Sequence, residues 1–324
     1  MSSTTEDLLD RAAPDLDEAA VRTEFDAAVK VDGRALTRIA PEVGIAYQTL
    51  SAWRGGSYSG DNQRITRAAN AWLISREARA RAKATLPTEP LFQMTKTASR
   101  IWEILDLAKA MPTIGMVVGG SGVGKTKALA AYTDLYPQTT WLVTMTPCHA
   151  RIFSVLAEIA GVMKLGVAGR TAELFTRIVS KARGTSGLLI LDEAQHLSAE
   201  ALDQVRSIFD AANVGIVLAG NHDLDAHMGM ERRRVQLAQI SSRVGVRFPR
   251  ERPLKADIAK MLDAWDVKGE RERAELEGVA LRPGGLRGLT MTLRIALGLA
   301  SAAETTLAVE HIRTAWQQLS GGGA

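Results

Sequence analysis

One cysteine, Cys148, occurs in 324 residues. That count excludes an intrachain disulfide and a zinc site built on a cysteine cluster. Five histidines are scattered along the chain with no His-Glu-x-x-His arrangement, so no structural-metal framework is in view. No apolar run approaches the roughly 20 residues of a bilayer-spanning helix, and the polar N-terminus has no apolar signal core. The expected setting is the cytoplasm of a bacterial host, with no membrane contact. The excess of one charge over the other is small as well: the formal net charge is +4, a mild hint of an acidic partner. Its distribution says more. Residues 1–33 carry nine acidic and three basic side chains, whereas residues 34–84 carry nine basic and three acidic. The second stretch is the better candidate for a phosphate-backbone surface.

What the chain does hold is a dense nucleotide signature. Residues 114–118, Ile-Gly-Met-Val-Val, lead into Gly119-Gly120-Ser121-Gly122-Val123-Gly124-Lys125-Thr126, a complete phosphate-loop pattern. A buried strand should feed a turn whose backbone N–H groups surround phosphate oxygens at the positive end of a helix. Glycine suits the turn because a Cβ would obstruct both the bend and the approach of phosphate. Lys125 can reach the β and γ phosphates of ATP, and the Thr126 hydroxyl can join a Mg²⁺ shell. Downstream, Leu188-Leu189-Ile190-Leu191 reads as a strand buried on both faces, ending in Asp192-Glu193. Carboxylates there are costly unless they have a chemical role. Asp192 would orient Mg²⁺ through a water and Glu193 would polarise the attacking water. A third apolar strand, 214–220, ends at Asn221, which either holds that water or γ phosphate, or caps a turn.

The N-terminal third reads as helical. Leu36–Gly44 and Ile45–Gly56 suit two short helices meeting at Gly44, with Ala40, Val43, Ile45, Leu50 and Trp53 inward. Tyr47, Gln48, Ser51 and Arg54 are left outward, as on the recognition helix of a helix-turn-helix. Pro41 is tolerable if its helix starts near Arg38, and Ala46 is a poorer cap than serine or threonine. Both features favour general over sequence-specific DNA contact; a small helical protein-interaction domain is the alternative. Asp61 is placed to cap a further amphipathic helix whose outer face carries Arg64, Arg67, Arg76, Arg79, Arg81 and Lys83, either a phosphate-binding or an ordinary charged face. Pro87 and Pro90 mark a linker.

Between the phosphate loop and residue 249 the pattern alternates strand and helix around a parallel sheet. Phe248-Pro249-Arg250-Glu251-Arg252-Pro253 marks the exit from that sheet. Arg232-Arg233-Arg234 and Arg243 follow Asn221; these side chains could touch DNA, complete a neighbour's nucleotide site or face water, and Arg243 is the better candidate to enter a neighbouring subunit's site. The last stretch is helical, with Arg287 at the start of its third helix. The expected division is an acidic segment 1–33, a helix-turn-helix domain 34–84, a linker 85–93, an ATPase core 94–249, a helical domain 250–320 and a flexible tail 321–324.

In this order the motifs resemble the AAA+ ATPases that act as target-DNA activators in transposition, the B proteins of bacteriophage Mu and related transposable phages. Gly119–Thr126 and 188–193 place the chain in the superfamily, and the helix-turn-helix around 50–61 narrows it. The resemblance implies an α/β AAA+ phosphate-loop core flanked by an N-terminal helix-turn-helix and a C-terminal helical domain. It implies Lys125 on phosphate, Thr126 and Asp192 on Mg²⁺, Glu193 on water and Asn221 as first sensor. Arg243 would be a trans-acting finger and Arg287 a second sensor. It further implies an ATP-dependent helical filament on duplex DNA with little sequence preference, recruitment and stimulation of a transposase, and release by hydrolysis to ADP. Two rivals remain at this level: a helicase loader or replication ATPase, and a nucleotide-gated DNA-binding regulator.

Overall fold

A computed structural model describes residues 16–85, 87–224 and 244–321. The chain divides between Pro87 and Thr88 into two compact units.

Among the described residues the first unit is a cluster of four helices: α1 (Glu18–Asp32), α2 (Leu36–Val43), α3 (Tyr47–Arg54) and α4 (Asn62–Thr85). Asp17 starts α1 by accepting the Ala19 and Ala20 N–H groups, and Gly33, at φ 72°, ends it. The apolar face of α1 packs Val21, Phe25 and Val29 against Ile39, Leu50, Trp53, Ile65 and Trp72. Phe25 meets the rings of Trp53 and Trp72 edge-on, at centroid distances of 5.9 and 5.2 Å. The buried residues of 18–32 thus share one core with those of 36–73. Of the acidic side chains that suggested a separate segment, Glu18, Glu24, Asp26 and Asp32 lie on α1 outside its buried face. Ala40, Val43, Ile45, Leu50 and Trp53 are buried as the spacing predicts, and the turn passes through Gly44 at φ 74°. Helix α2 starts at Leu36, earlier than expected, so Pro41 lies in its second turn, where it cannot donate to the Thr37 carbonyl.

The second unit is a parallel sheet with helices on both faces, followed by four helices. Its elements are α5 (Lys96–Ala110), β1 (Ile114–Gly119), α6 (Lys125–Leu135), β2 (Thr140–Thr144), α7 (Ile152–Val162), α8 (Thr171–Ala182), β3 (Leu188–Asp192), α9 (Ala199–Ala212), β4 (Gly215–Gly220) and β5 (Val244–Arg250). The strand order is β2-β3-β4-β1-β5, every pair parallel. Alternate residues serve opposite faces. Met116, Val118, Leu189, Leu191, Ile216 and Leu218 pack with α7, α8 and α9; Val117, Leu188, Ile190, Val217 and Ala219 pack with α5 and α6. Strands β1, β3 and β4 are buried throughout, which explains their uninterrupted apolar sequences.

The chain leaves the sheet within the expected stretch 248–253, but Phe248 and Pro249 still belong to β5, which pairs with β1 as far as Gly119↔Arg250. Being last in the strand order, β5 can hold Pro249, whose missing N–H costs no ladder bond on the outer side. After β5 come α10 (Lys255–Ala264), α11 (Glu270–Ala280), α12 (Gly285–Ala302) and α13 (Val309–Leu319). They enclose a separate core around Leu262, Leu276, Leu289, Leu293 and Ile312.

Candidate active site

The site lies where the C-terminal ends of β1, β3 and β4 meet, the crevice where open parallel sheets bind ligands. Strand β1 delivers the chain into the phosphate loop, and α6 leaves from Lys125 with Gly124 as its N-cap in the left-handed region, φ 98°. The glycines are required by the protein's own backbone as well as by any ligand. A Cβ on Gly119 would lie 2.3 Å from the Arg250 carbonyl oxygen, and one on Gly120 would lie 2.2 Å from that of Glu251. Gly120 N–H donates to Arg250 O at 2.9 Å, so β5 supports the loop from one side. From the other side comes the turn before α12. Leu286 N–H donates to Gly122 O at 2.8 Å, and a Cβ on Gly122 would lie 1.8 Å from Gly284 O.

Within this frame Lys125 Nζ donates to the carbonyls of Gly119 and Gly120 at 2.7 and 3.0 Å. Burial lowers the Lys125 pKa, against the opposing pull of Glu193 and Asp192. Thr126 Oγ1 donates to Asp192 Oδ2 at 2.7 Å, joining the start of α6 to the end of β3. Asp192 is buried, and that burial raises its pKa although the Thr126 hydroxyl and the Glu193 N–H oppose the shift. An anion placed beside a desolvated ammonium, and a cation placed beside a desolvated carboxylate, favour the charged form and oppose these shifts. Among the described residues no group of three or more His, Cys, Asp or Glu could hold a metal alone. A hydroxyl and one carboxylate fit Mg²⁺, which keeps waters and takes further oxygens from phosphate.

Glu193 turns sharply out of β3 with φ 55° and ψ 36°, the left-handed region that non-glycine residues seldom adopt. Its Oε2 accepts from Gln195 Nε2, and Gln195 Oε1 accepts the Asn221 N–H at 3.3 Å. The Asn221 side chain forms a turn with Asp223: its Oδ1 accepts the Asp223 N–H and its Nδ2 donates to Asp223 Oδ2, each at 2.9 Å. Reaching a water or phosphate would require it to exchange Asp223. Arg287 is exposed in the first turn of α12, one residue beyond the Leu286 contact with the loop. Arg232, Arg233, Arg234 and Arg243 lie outside the described residues.

On the helix-turn-helix unit, Tyr47 and Gln48 are exposed and Ser51 is half-buried. Arg54 is half-buried as well, and its Nε donates to Asp26 of α1. Sequence reasoning missed Gln195, the Gly284–Leu286 turn and β5's grip on the loop. The only available signal for Gln195 was a polar residue two positions after Glu193.

Family comparisons agree with this arrangement. A model described as an AAA domain matches residues 110–228, and one described as the C-terminal part of the Mu B transposition protein matches residues 242–319. The ATP-dependent target DNA activator B of Escherichia phage Mu is 32% identical over 300 residues, covering 92% of this chain and 95% of that protein. The protein of the same description from Escherichia phage D108 gives the same identity and coverage. The Mu-like prophage FluMu DNA transposition protein B of Haemophilus influenzae is 32% identical over 258 residues, 79% of this chain and 88% of that protein. A phosphate loop seated in a five-stranded parallel sheet, an AAA domain match and near full-length similarity to these proteins lead to one assignment: the chain belongs to the Mu B family of phage transposition proteins.

Proposed function

We propose that this chain is an ATP-dependent target-DNA activator. It binds ATP with Mg²⁺, assembles along duplex DNA with little sequence preference, recruits and stimulates a transposase, and lets go of DNA on hydrolysis. The observation that carries the catalytic part is the Thr126–Asp192 hydrogen bond of 2.7 Å beneath a complete phosphate loop. The names of the relatives, target DNA activator and DNA transposition protein, support action on target DNA in transposition.

In this reading the loop N–H groups and Lys125 bind the β and γ phosphates, and Lys125 exchanges its two loop carbonyls for phosphate oxygens. Thr126 and, through water, Asp192 hold Mg²⁺, which when bound neutralises charge on the phosphate oxygens. Glu193 accepts a proton from the attacking water. Asn221 orients that water after exchanging Asp223. Arg243 of a neighbouring subunit and Arg287 of the same chain stabilise charge on the transferred phosphoryl group, tying hydrolysis to the subunit boundary.

The deciding variant is Glu193→Gln, which keeps the shape of the side chain and removes its basicity. It should bind ATP, lose about 10²-fold or more in turnover, and leave long-lived filaments on random-sequence duplex DNA in electron micrographs. Wild-type turnover in that variant overturns the role of Glu193. An identical DNA-bound assembly of wild-type protein with and without ATP overturns the coupling of nucleotide to assembly.

A further inference from the structure

Gln195 sits in the short 3-10 turn Ala194–His196 that follows Glu193. Its side-chain amide works in two directions at once. Nε2 donates to Glu193 Oε2 while Oε1 accepts the backbone N–H of Asn221 at 3.3 Å. The orientation of the amide is settled by its partners: a flip would set an oxygen against a carboxylate and an NH₂ against an N–H. Only a side chain with a donor and an acceptor on the same end can fill this place. Gly220 leaves the room for it, since a Cβ there would lie 2.5 Å from Gln195 Oε1.

The consequence concerns Glu193. A glutamate on a turn has three side-chain torsions to fix before one oxygen can face a water. Its backbone is held in the left-handed region, and Gln195 anchors Oε2, leaving Oε1 with its lone pairs to accept a water proton. The same amide is fastened to the end of β4, where the chain passes into Asn221. We infer that Gln195 is a positioning residue that sets the orientation of the Glu193 carboxylate and links it mechanically to the β4–Asn221 junction. The inference rests on Glu193 being the group that polarises water.

The test is a double-mutant cycle on the full chain, reading kcat, KM and ATP affinity separately. Gln195→Ala should lower kcat roughly 10–100-fold with KM and ATP affinity within about twofold, because the amide touches neither nucleotide-binding loop nor Mg²⁺ ligand. Gly220→Ala should give the same split by a different route, its methyl displacing Oε1. It also presses Leu224, whose side chain lies 3.2 Å from the new Cβ, so the single variant alone does not isolate the amide. The pair does: in the Gln195→Ala background the Gly220→Ala change should cost little further kcat, since the displaced oxygen is gone. Gln195→Glu, of equal size, keeps an acceptor for Asn221 N–H but turns a carboxylate toward Glu193; its kcat should fall at least as far as that of Gln195→Ala. This variant decides the matter if Gly220→Ala fails to fold. Wild-type kcat in Gln195→Ala and Gln195→Glu, or full additivity of the Gly220 and Gln195 losses, overturns the inference. Glu193→Gln run alongside separates the two ideas. If it is inactive while the Gln195 variants are not, only Gln195 is misassigned; if it is fully active, the role of Glu193 has failed first.

Discussion

At the scale of single residues, the phosphate-loop glycines are not equivalent, and the difference can be measured without nucleotide. Gly122 combines φ 78° with a space already filled by the Gly284 carbonyl, 1.8 Å from where its Cβ would be. Gly124 has φ 98°, yet its nearest neighbour would be a Leu286 methyl at 3.9 Å. Alanine at 124 meets only backbone strain, about 1–2 kcal/mol. At 122 it meets that strain and must also push the α12 turn off the loop, breaking the Leu286 N–H to Gly122 O bond of 2.8 Å. Gly122→Ala should therefore lower the melting temperature of the nucleotide-free protein clearly more than Gly124→Ala, and should expose the start of α12 to limited proteolysis. Equal melting temperatures would show that the turn is not held by the loop.

At the scale of elements, one joint between α5 and the C-terminal helices runs through a buried carboxylate. Asp257, on α10, is fully buried and accepts the Lys96 and Thr97 N–H groups of α5 at 2.8 and 3.4 Å and the Thr97 hydroxyl. It acts as a helix cap supplied from 160 residues away, at the positive end of α5. Asp257→Ala should cost about 2–3 kcal/mol in denaturant titration, because two helix donors and a hydroxyl lose their acceptor in the interior. Asp257→Asn keeps an acceptor and should cost less. Neither this cap nor Gln195 was readable from spacing, since each joins positions that the fold, and not the local chain, brings together. The phosphate loop and the 188–193 stretch were readable because strand, turn and functional side chain are contiguous. Strands β1, β3 and β4 were readable because burial on both faces demands unbroken apolar runs. Strand β5 was not: Val-Gly-Val-Arg-Phe-Pro-Arg at a sheet edge carries charge and proline that a central strand would refuse.

At the scale of the whole molecule, the proposed grip on duplex DNA has to come from a chain of net charge only +4. In the helix-turn-helix unit the recognition position best suited to a base contact, Arg54, already shares its charge with Asp26 of α1. Inserting it into a groove would cost that ion pair before any base was read. Arg64 and Arg67, by contrast, are exposed on α4 and need give up less to meet phosphate. Phosphate contacts release counterions, so each one adds about one unit to the slope of log affinity against log salt and carries no sequence information. If this unit holds DNA by its backbone, Arg64→Glu with Arg67→Glu should weaken binding to all duplexes alike and flatten the salt slope by about 2. Arg54→Ala should change affinity only slightly. Fluorescence anisotropy on two unrelated duplexes across a salt series reads both quantities. A large loss with Arg54→Ala that differs between the duplexes, with the slope intact in the double variant, would mean that α3 reads bases and that Asp26 is a partner it trades away on binding.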